Sequence, residues 1–79
     1  MKTKTQKLPK QYEGKIHIYD EGGTVQNRFG GASVELNALE LSIYDYLMGC
    51  EMMEDWNGMR VGLNWFIQNN SDAYMVLLD

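Results

Sequence analysis

Alternating apolar and polar positions predict a β-hairpin in the first half of the chain. Residues 15–19 and residues 24–29 each alternate with a period of two, which is typical of half-buried strands. Between them, residues 20–23 end in two glycines, which allow positive φ in a tight loop. We therefore predict an antiparallel hairpin of these two runs. Gly30-Gly31 ends the second strand, and residues 32–36 form either a third short strand or extended chain leading into a helix.

The start of the first helix carries the most specific local signal in the sequence. Asn37 is a favourable N-cap residue, and Glu40 stands three residues later, where its side chain can bind the amide of Asn37. Leu36 and Leu41 occupy the positions of a hydrophobic staple. These two features agree, and they predict a helix over residues 38–54.

This predicted helix is apolar on two opposite faces. One stripe, the expected core face, contains Leu39, Ile43, Tyr46, Leu47, Cys50 and Met53. The opposite stripe contains Leu41, Tyr44, Met48 and Met52. A helix of this kind is covered on both faces, either by its own domain or by another chain.

Two further helical segments are predicted after the first helix. Asp55 or Asn57 caps a second helix over residues 58–68, with one apolar face made of Trp56, Met59, Leu63, Phe66 and Ile67. Trp65 and Val61 lie off that face. Residues 69–71 interrupt the helix and cap a last short helix or turn over residues 73–78. The fold class is therefore α+β, with a β-hairpin of two or three short strands, two helices and a short C-terminal helix.

Length and charge divide the chain into a short basic segment and one small acidic domain. The chain has 79 residues, and residues 1–15 hold five lysines against one glutamate, whereas the remainder holds two arginines against ten acidic residues. We predict a basic flexible arm over residues 1–10 and a single domain over residues 11–79. A domain of this size buries only about 60% of the surface of its unfolded chain, so its core is small.

The charge layout limits the expected partners. Nucleic-acid-binding domains present basic surfaces, and here the predicted folded part is acidic. Contact with nucleic acid would therefore depend on the arm, through Lys2, Lys4, Lys7 and Lys10. The longest apolar run, residues 73–78, is far shorter than the roughly 20 residues that span a bilayer, and no secretory pattern follows Met1. With a single cysteine and thus no internal disulfide, we expect a cytoplasmic protein without membrane contact.

The sequence shows no arrangement of residues typical of catalysis or of metal and cofactor binding. His17 is the only histidine and has no nucleophile paired with it, and Cys50 lies on the core stripe, where cysteines are inert. Glu51, Glu54 and Asp55 form an acidic cluster too small for a calcium site, and Arg60 is a candidate cation to neutralise it. No glycine-rich segment has the spacing of a phosphate-binding loop. We therefore expect a protein that is not an enzyme and carries no cofactor.

The richest functional signal is the set of apolar residues that lie outside the expected core face of the first helix and that of the second. Methionine and aromatic residues are common at protein interfaces. The candidate interface residues are Leu41, Tyr44, Met48, Met52 and Trp65. Burial within the chain is the equal alternative for these residues.

Three functional hypotheses follow. The first is a non-catalytic protein-interaction or regulatory module, with a homodimer through the second helix face as one form of it. The second is a nucleic-acid-associated protein that uses the basic arm. The third is an acidic mimic of nucleic acid that binds a host protein.

Three segments consist of helix-packing residues: the stretch from Val34-Glu35-Leu36-Asn37 through Ile43-Tyr44-Asp45, the segment Gly62-Leu63-Asn64-Trp65-Phe66, and residues 73–79. Together they resemble short uncharacterised proteins of marine tailed bacteriophages, cyanophages among them. The resemblance covers about the last 45 residues and does not include the predicted N-terminal hairpin. It implies no activity. It implies a setting, namely a small phage accessory protein that acts on host or phage proteins in a bacterial cytoplasm.

Overall fold

A computed structural model describes residues 6 to 78 and has the predicted α+β architecture. A two-stranded antiparallel hairpin is followed by two helices and a short C-terminal helix. The elements in chain order are a 3-10 turn (Lys10–Tyr12), β1 (Gly23–Gln26), β2 (Ser33–Leu36), α1 (Ala38–Met52), α2 (Trp56–Asn69) and α3 (Ser71–Ala73), which continues as a π-helical turn (Tyr74–Leu78).

The hairpin uses different strands from those predicted. β1 pairs with β2, with Gly23 opposite Leu36 and Gln26 opposite Ser33. The predicted pairing of residues 15–19 with residues 24–29 is therefore wrong, and the segment left open as a third strand is the true partner. Residues 16–19 have no regular secondary structure.

Local hydrogen bonds explain the change of partner. The Asn27 side chain accepts a bond from Phe29 N at 2.6 Å, and Asn27 N donates to Ala32 O at 2.8 Å, so the turn forms after β1. In the earlier segment, Tyr19 N donates to Ser42 Oγ of α1 at 2.8 Å. Its backbone is thus engaged by a helix. Alternation alone could not distinguish these two arrangements.

Both ends of α1 have well-defined caps. The predicted capping box is present, because Glu40 N donates to Asn37 Oδ1 at 2.8 Å and Asn37 N donates to Glu40 Oε1 at 2.9 Å. At the other end, Asp55 N bonds to Cys50 O at 2.8 Å, and Glu54 adopts a left-handed φ of 60°. This is a Schellman motif, and it ends the helix at Met52, two residues before the predicted end.

The chain itself covers the core face of α1 and most of the opposite face. Ile43 and Leu47 are fully buried in the core shared with α2. On the opposite face, Tyr44 is 9% exposed, and Leu41 Cδ2 lies 3.7 Å from where a Cβ on Gly23 would stand. Intrachain burial therefore accounts for most of the face that the sequence left open, whereas Met52 at its end stays 84% exposed.

Some residues predicted on the core faces of the two helices are exposed in the structure. Met53 was expected in the core but is 82% exposed, because it lies at the C-cap, where the chain leaves the helix. On α2, Trp56 and Ile67 are exposed, whereas Trp65 is buried beside Phe66. α2 starts at Trp56 with Asp55 as its cap, and its core side contains Gly62, which periodicity of large residues does not mark.

A close approach at Gly62 sets the spacing of α1 and α2. A Cβ at this position would lie 2.6 Å from Tyr12 Oη and 2.8 Å from Leu47 Cβ, both of which are buried side chains. The Tyr12 hydroxyl donates to Gly58 O at 2.6 Å, one turn before Gly62. The 3-10 turn, α1 and α2 thus meet at one point that only glycine fits.

A buried carboxylate joins the N-terminal segment to the helices. Glu40 is 5% exposed, and its Oε2 accepts bonds from Gln6 Nε2 at 2.7 Å and from Asn70 Nδ2 at 3.0 Å. In addition, Trp65 Nε1 donates to Lys7 O at 2.7 Å. Residues 6–10, expected as part of a flexible arm, are therefore anchored to the domain, and residues 1–5 of that arm lie outside the described residues.

Gly62→Ala is expected to lower the free energy of unfolding by about 1–3 kcal/mol, because the new methyl group would overlap Tyr12 and Leu47. Gly49→Ala is the matched control, since a Cβ there meets nothing within 4 Å. It should raise the free energy of unfolding by about 0.5–1 kcal/mol through helix propensity. Urea denaturation of both variants measures these changes. Equal changes in the free energy of unfolding would contradict the close approach of α1 and α2 at Gly62.

Glu40→Ala is expected to destabilise the protein by about 2–3 kcal/mol, because it removes the capping box and leaves two donors without their acceptor. Glu40→Gln should cost about 1–2 kcal/mol, since its NH₂ group would face one of those donors. The exposed Glu35→Gln provides the control and should change stability by less than about 0.5 kcal/mol. A Glu40→Gln variant as stable as wild type would rule out the described role of the carboxylate.

Candidate functional site

Three large apolar side chains stand exposed where α1 turns into α2. Met52, Met53 and Trp56 are 84%, 82% and 60% exposed. We call these three residues the α1–α2 corner. Adjacent exposed apolar side chains of this kind mark contact surfaces in soluble proteins, whereas single ones are ordinary.

An open groove of about 380 Å³ adjoins the corner. Its lining residues are Asp45, Tyr46, Gly49, Cys50, Met53 and Asp55. Gly49 contributes no side chain and leaves the middle of the groove open. Two smaller depressions, of about 210 and 190 Å³, share lining residues with the groove. Tyr46 and Lys15 line both of them, Asp55 lines the first, and Asp45 lines the second. Met53 belongs to both the groove and the corner, and Asp55 of the groove lining directly precedes Trp56 of the corner in sequence.

The groove is lined in part by the thiol of Cys50. Cys50 is 5% exposed, and its Sγ and Asp55 Oδ2 both lie within 3 Å of where a Cβ on Gly58 would stand. Burial raises the pKa of the Cys50 thiol, and the negative charge of Asp55 raises it further. Burial also raises the pKa of Tyr46. The expected inert cysteine is consistent with this setting.

Two carboxylates line the groove while remaining exposed. Asp45 accepts a hydrogen bond from the Tyr19 hydroxyl, and Asp55 Oδ1 caps α2 by accepting from Gly58 N at 3.0 Å. An ionised carboxylate offers about four acceptor positions, so both retain capacity for further contacts. Residues 38–55 include five acidic residues and no basic residue. The groove is therefore negatively charged at its edges.

The acidic cluster predicted at the end of α1 is divided among separate roles. Glu51 forms an ion pair with Arg28 at 3.0 Å, so the cation is Arg28 of the hairpin loop and the expected Arg60 is not that partner. Asp55 caps α2, and Glu54 holds the left-handed position of the Schellman motif. Among residues 6 to 78, no three His, Cys, Asp or Glu side chains are grouped so that they could hold a metal ion.

The structure distributes the predicted interface residues between core and surface. Tyr44 and Trp65 are buried within the chain, at 9% and 7% exposure, so neither offers surface to another protein in this conformation. Leu41 and Met48 are half-buried against the core. Met52 alone of the five is widely exposed.

Sequence reasoning missed Met53, Trp56 and the groove. Helical periodicity was extended through residue 54, which placed Met53 on the core stripe and Trp56 on the apolar face of α2. The signal that could have found them is the position of Asp55 as an N-cap. A cap there requires the chain to turn at residues 53–55, and residues in such a turn are exposed.

The remaining candidates are exposed and make few contacts. His17 is exposed, with its ring 5.5 Å from that of Tyr19. Of the predicted nucleic-acid arm, Lys7 and Lys10 are exposed, and Lys2 and Lys4 lie outside the described residues. In the part of the chain that the structure describes, no helix has the length and apolar character needed to cross a bilayer.

Comparison with known proteins identifies no relative of this chain. No protein-family model matches the chain, and neither the curated proteins nor the solved structures contain a significant match.

Cys50 should react slowly with a thiol reagent at about pH 8 in the folded protein, because burial and Asp55 disfavour the thiolate. Asp55→Asn should speed the reaction, since it removes the nearby charge and thus lowers the pKa of the thiol, while asparagine still caps α2. The folded state also holds this proton more tightly than the unfolded chain. The free energy of unfolding should therefore fall as the pH rises above the ordinary thiol range.

The rate with dithiobisnitrobenzoate and urea denaturation at several pH values check these expectations. Asp45→Asn is the control variant, because it removes a groove carboxylate that is not among the causes of the Cys50 shift. Equal rates for the Asp55→Asn variant and wild type would contradict the assigned cause.

Proposed function

We propose that this chain is a non-catalytic protein-interaction module that binds another protein through the α1–α2 corner and the adjoining groove. The observation that supports the proposal is the conjunction of three exposed large apolar side chains with an open groove of about 380 Å³. Exposure of this surface to water is unfavourable, and a partner that covers it gains the free energy of apolar burial.

The residue types suit contact with a protein. Tryptophan is among the residues that contribute most to binding energy at interfaces, and methionine adapts its shape to a partner. Trp56 and Met53 lie on opposite sides of the Schellman turn, which holds them on a backbone fixed by hydrogen bonds to α1. A backbone anchored in this way loses little conformational entropy on binding, so the entropic cost is confined to the side chains.

The acidic residues argue against the nucleic-acid mimic. A mimic presents free carboxylates in place of phosphates, but two of the acids here are engaged within the fold. Glu40 is buried, and Glu51 pairs with Arg28. The basic arm also gains no support, because Lys7 belongs to a segment anchored through its carbonyl to Trp65.

The phage resemblance supplies a setting for the proposal. It is that of a small accessory protein acting on a host or phage protein in a bacterial cytoplasm. A protein of this size without a catalytic site acts by occupying a surface on its target, which fits a regulatory role.

Selection from a library of random twelve-residue peptides tests the proposal. Peptides enriched on the wild-type protein should bind Met53→Ser and Trp56→Ser variants at least about tenfold more weakly, as expected when a central contact is lost. Met75→Ser provides the matched control, because Met75 is also exposed, at 66%, but lies outside the corner. Peptides that bind all variants equally, or an absence of enriched peptides, would overturn the proposal.

A further inference from the structure

We infer that the occupant of the groove is a basic segment of another protein, one that inserts a large apolar side chain between Lys or Arg residues. The inference rests on the proposed function and specifies its partner. It joins two observations, the apolar opening of the groove at Gly49 and Met53 and the carboxylates of Asp45 and Asp55 in its lining.

The size of the groove fits side chains better than a folded element. Sites for small ligands occupy roughly 300–1,000 Å³, and this groove, at about 380 Å³, lies near the lower limit. The absence of a side chain at Gly49 provides the space, and Met53 can adjust its shape around an entering group. One aromatic or long aliphatic side chain, with its neighbours lying along α1, fills such a volume.

The charge around the groove favours a cationic partner. Asp45 and Asp55 are both exposed, and the segment 38–55 that carries them has no basic residue. Arg28, the cation that approaches the end of α1, is already paired with Glu51. Lys15 lines the two neighbouring depressions, one together with Asp55 and the other together with Asp45, but it is absent from the lining of the groove itself. The two carboxylates therefore outnumber this one lysine, and the charge around the groove stays negative. Carboxylates placed in this way attract lysine and arginine and speed association.

A second copy of this chain is a poor occupant for the same reason. A two-fold interface at the corner would place the same surface on both sides. The acidic edges formed by Asp45, Glu54 and Asp55 would then face each other, and like charges across an interface are destabilising. The charge therefore favours a different protein.

Binding of defined peptides, followed by chemical shifts of backbone amides, tests the inference. The first probe has one central phenylalanine with two lysines on each side, in a background of glycine and serine. The second replaces the lysines with glutamates, and the third replaces the phenylalanine with alanine. We expect the first peptide to shift amides of residues 45–56 and to bind at least about tenfold more tightly than either control peptide.

Two protein variants with equal net charge provide the matched comparison. Asp45→Asn/Asp55→Asn removes both groove carboxylates and keeps the helix cap, whereas Glu35→Gln/Asp72→Asn removes two exposed acids elsewhere. The first pair should weaken binding of the lysine peptide by about threefold to tenfold, and the second by less than about twofold. Raising the salt from about 50 mM to about 500 mM should reduce the difference.

The outcomes separate this inference from the proposed function. If library peptides bind the corner but are neutral or acidic, or if both double variants behave alike, the basic partner is overturned while the docking surface stands. If the lysine peptide shifts amides outside residues 45–56, the inference is also overturned. If neither library nor defined peptides depend on Met53 and Trp56, the proposed function falls with it.

Discussion

The buried carboxylate of Glu40 is the contact on which the assembly of this small domain depends. It accepts hydrogen bonds from the start of its own helix, from Gln6 and from Asn70, and so it links three parts of the chain far apart in sequence. A buried charge is costly unless hydrogen bonds and nearby dipoles compensate it. The N-terminus of α1 supplies that compensation, because its amides and helix dipole favour a negative charge. The network thus places the N-terminal segment and the C-terminal helix on a common point.

A core this small leaves little freedom in how the helices meet. Tyr12 fills the space beside Gly62 and is itself held by Gly58 O, so the 3-10 turn packs against both long helices. The short connection between those helices must then reverse direction within residues 53–55. A left-handed residue and an N-cap achieve this reversal, but such a turn cannot bury its own large side chains. The exposure of Met53 and Trp56 is therefore a consequence of how α1 and α2 cross.

Short-range sequence patterns predicted much of the fold, but they did not predict which segments pair over a long range. The capping box at Asn37 and Glu40 depends on neighbouring residues alone, and it is present as expected. The predicted strand partners were wrong. Strand pairing depends on long-range contacts such as the hydrogen bond from Tyr19 N to Ser42 Oγ of α1, and alternation along the sequence does not reveal them. Burial of Trp65 could not be read from periodicity either, since Gly62 forms the centre of the core side of α2. Glycine has no side chain for a hydrophobic pattern to register.

The candidate site lies where helical periodicity and the local capping signal predict different structures. Apolar residues in a helix-like pattern were assigned to the core, yet the local signal at Asp55 requires a turn that exposes them. Glu54 adds to this conflict, since it occupies a left-handed position that glycine adopts at lower cost, by about 1 kcal/mol. A glycine there would favour stability, whereas glutamate adds negative charge beside Met53. The turn accounts for the exposure of this surface, and the proposed binding role rests on the residue types that occupy it, two methionines and a tryptophan beside a glutamate.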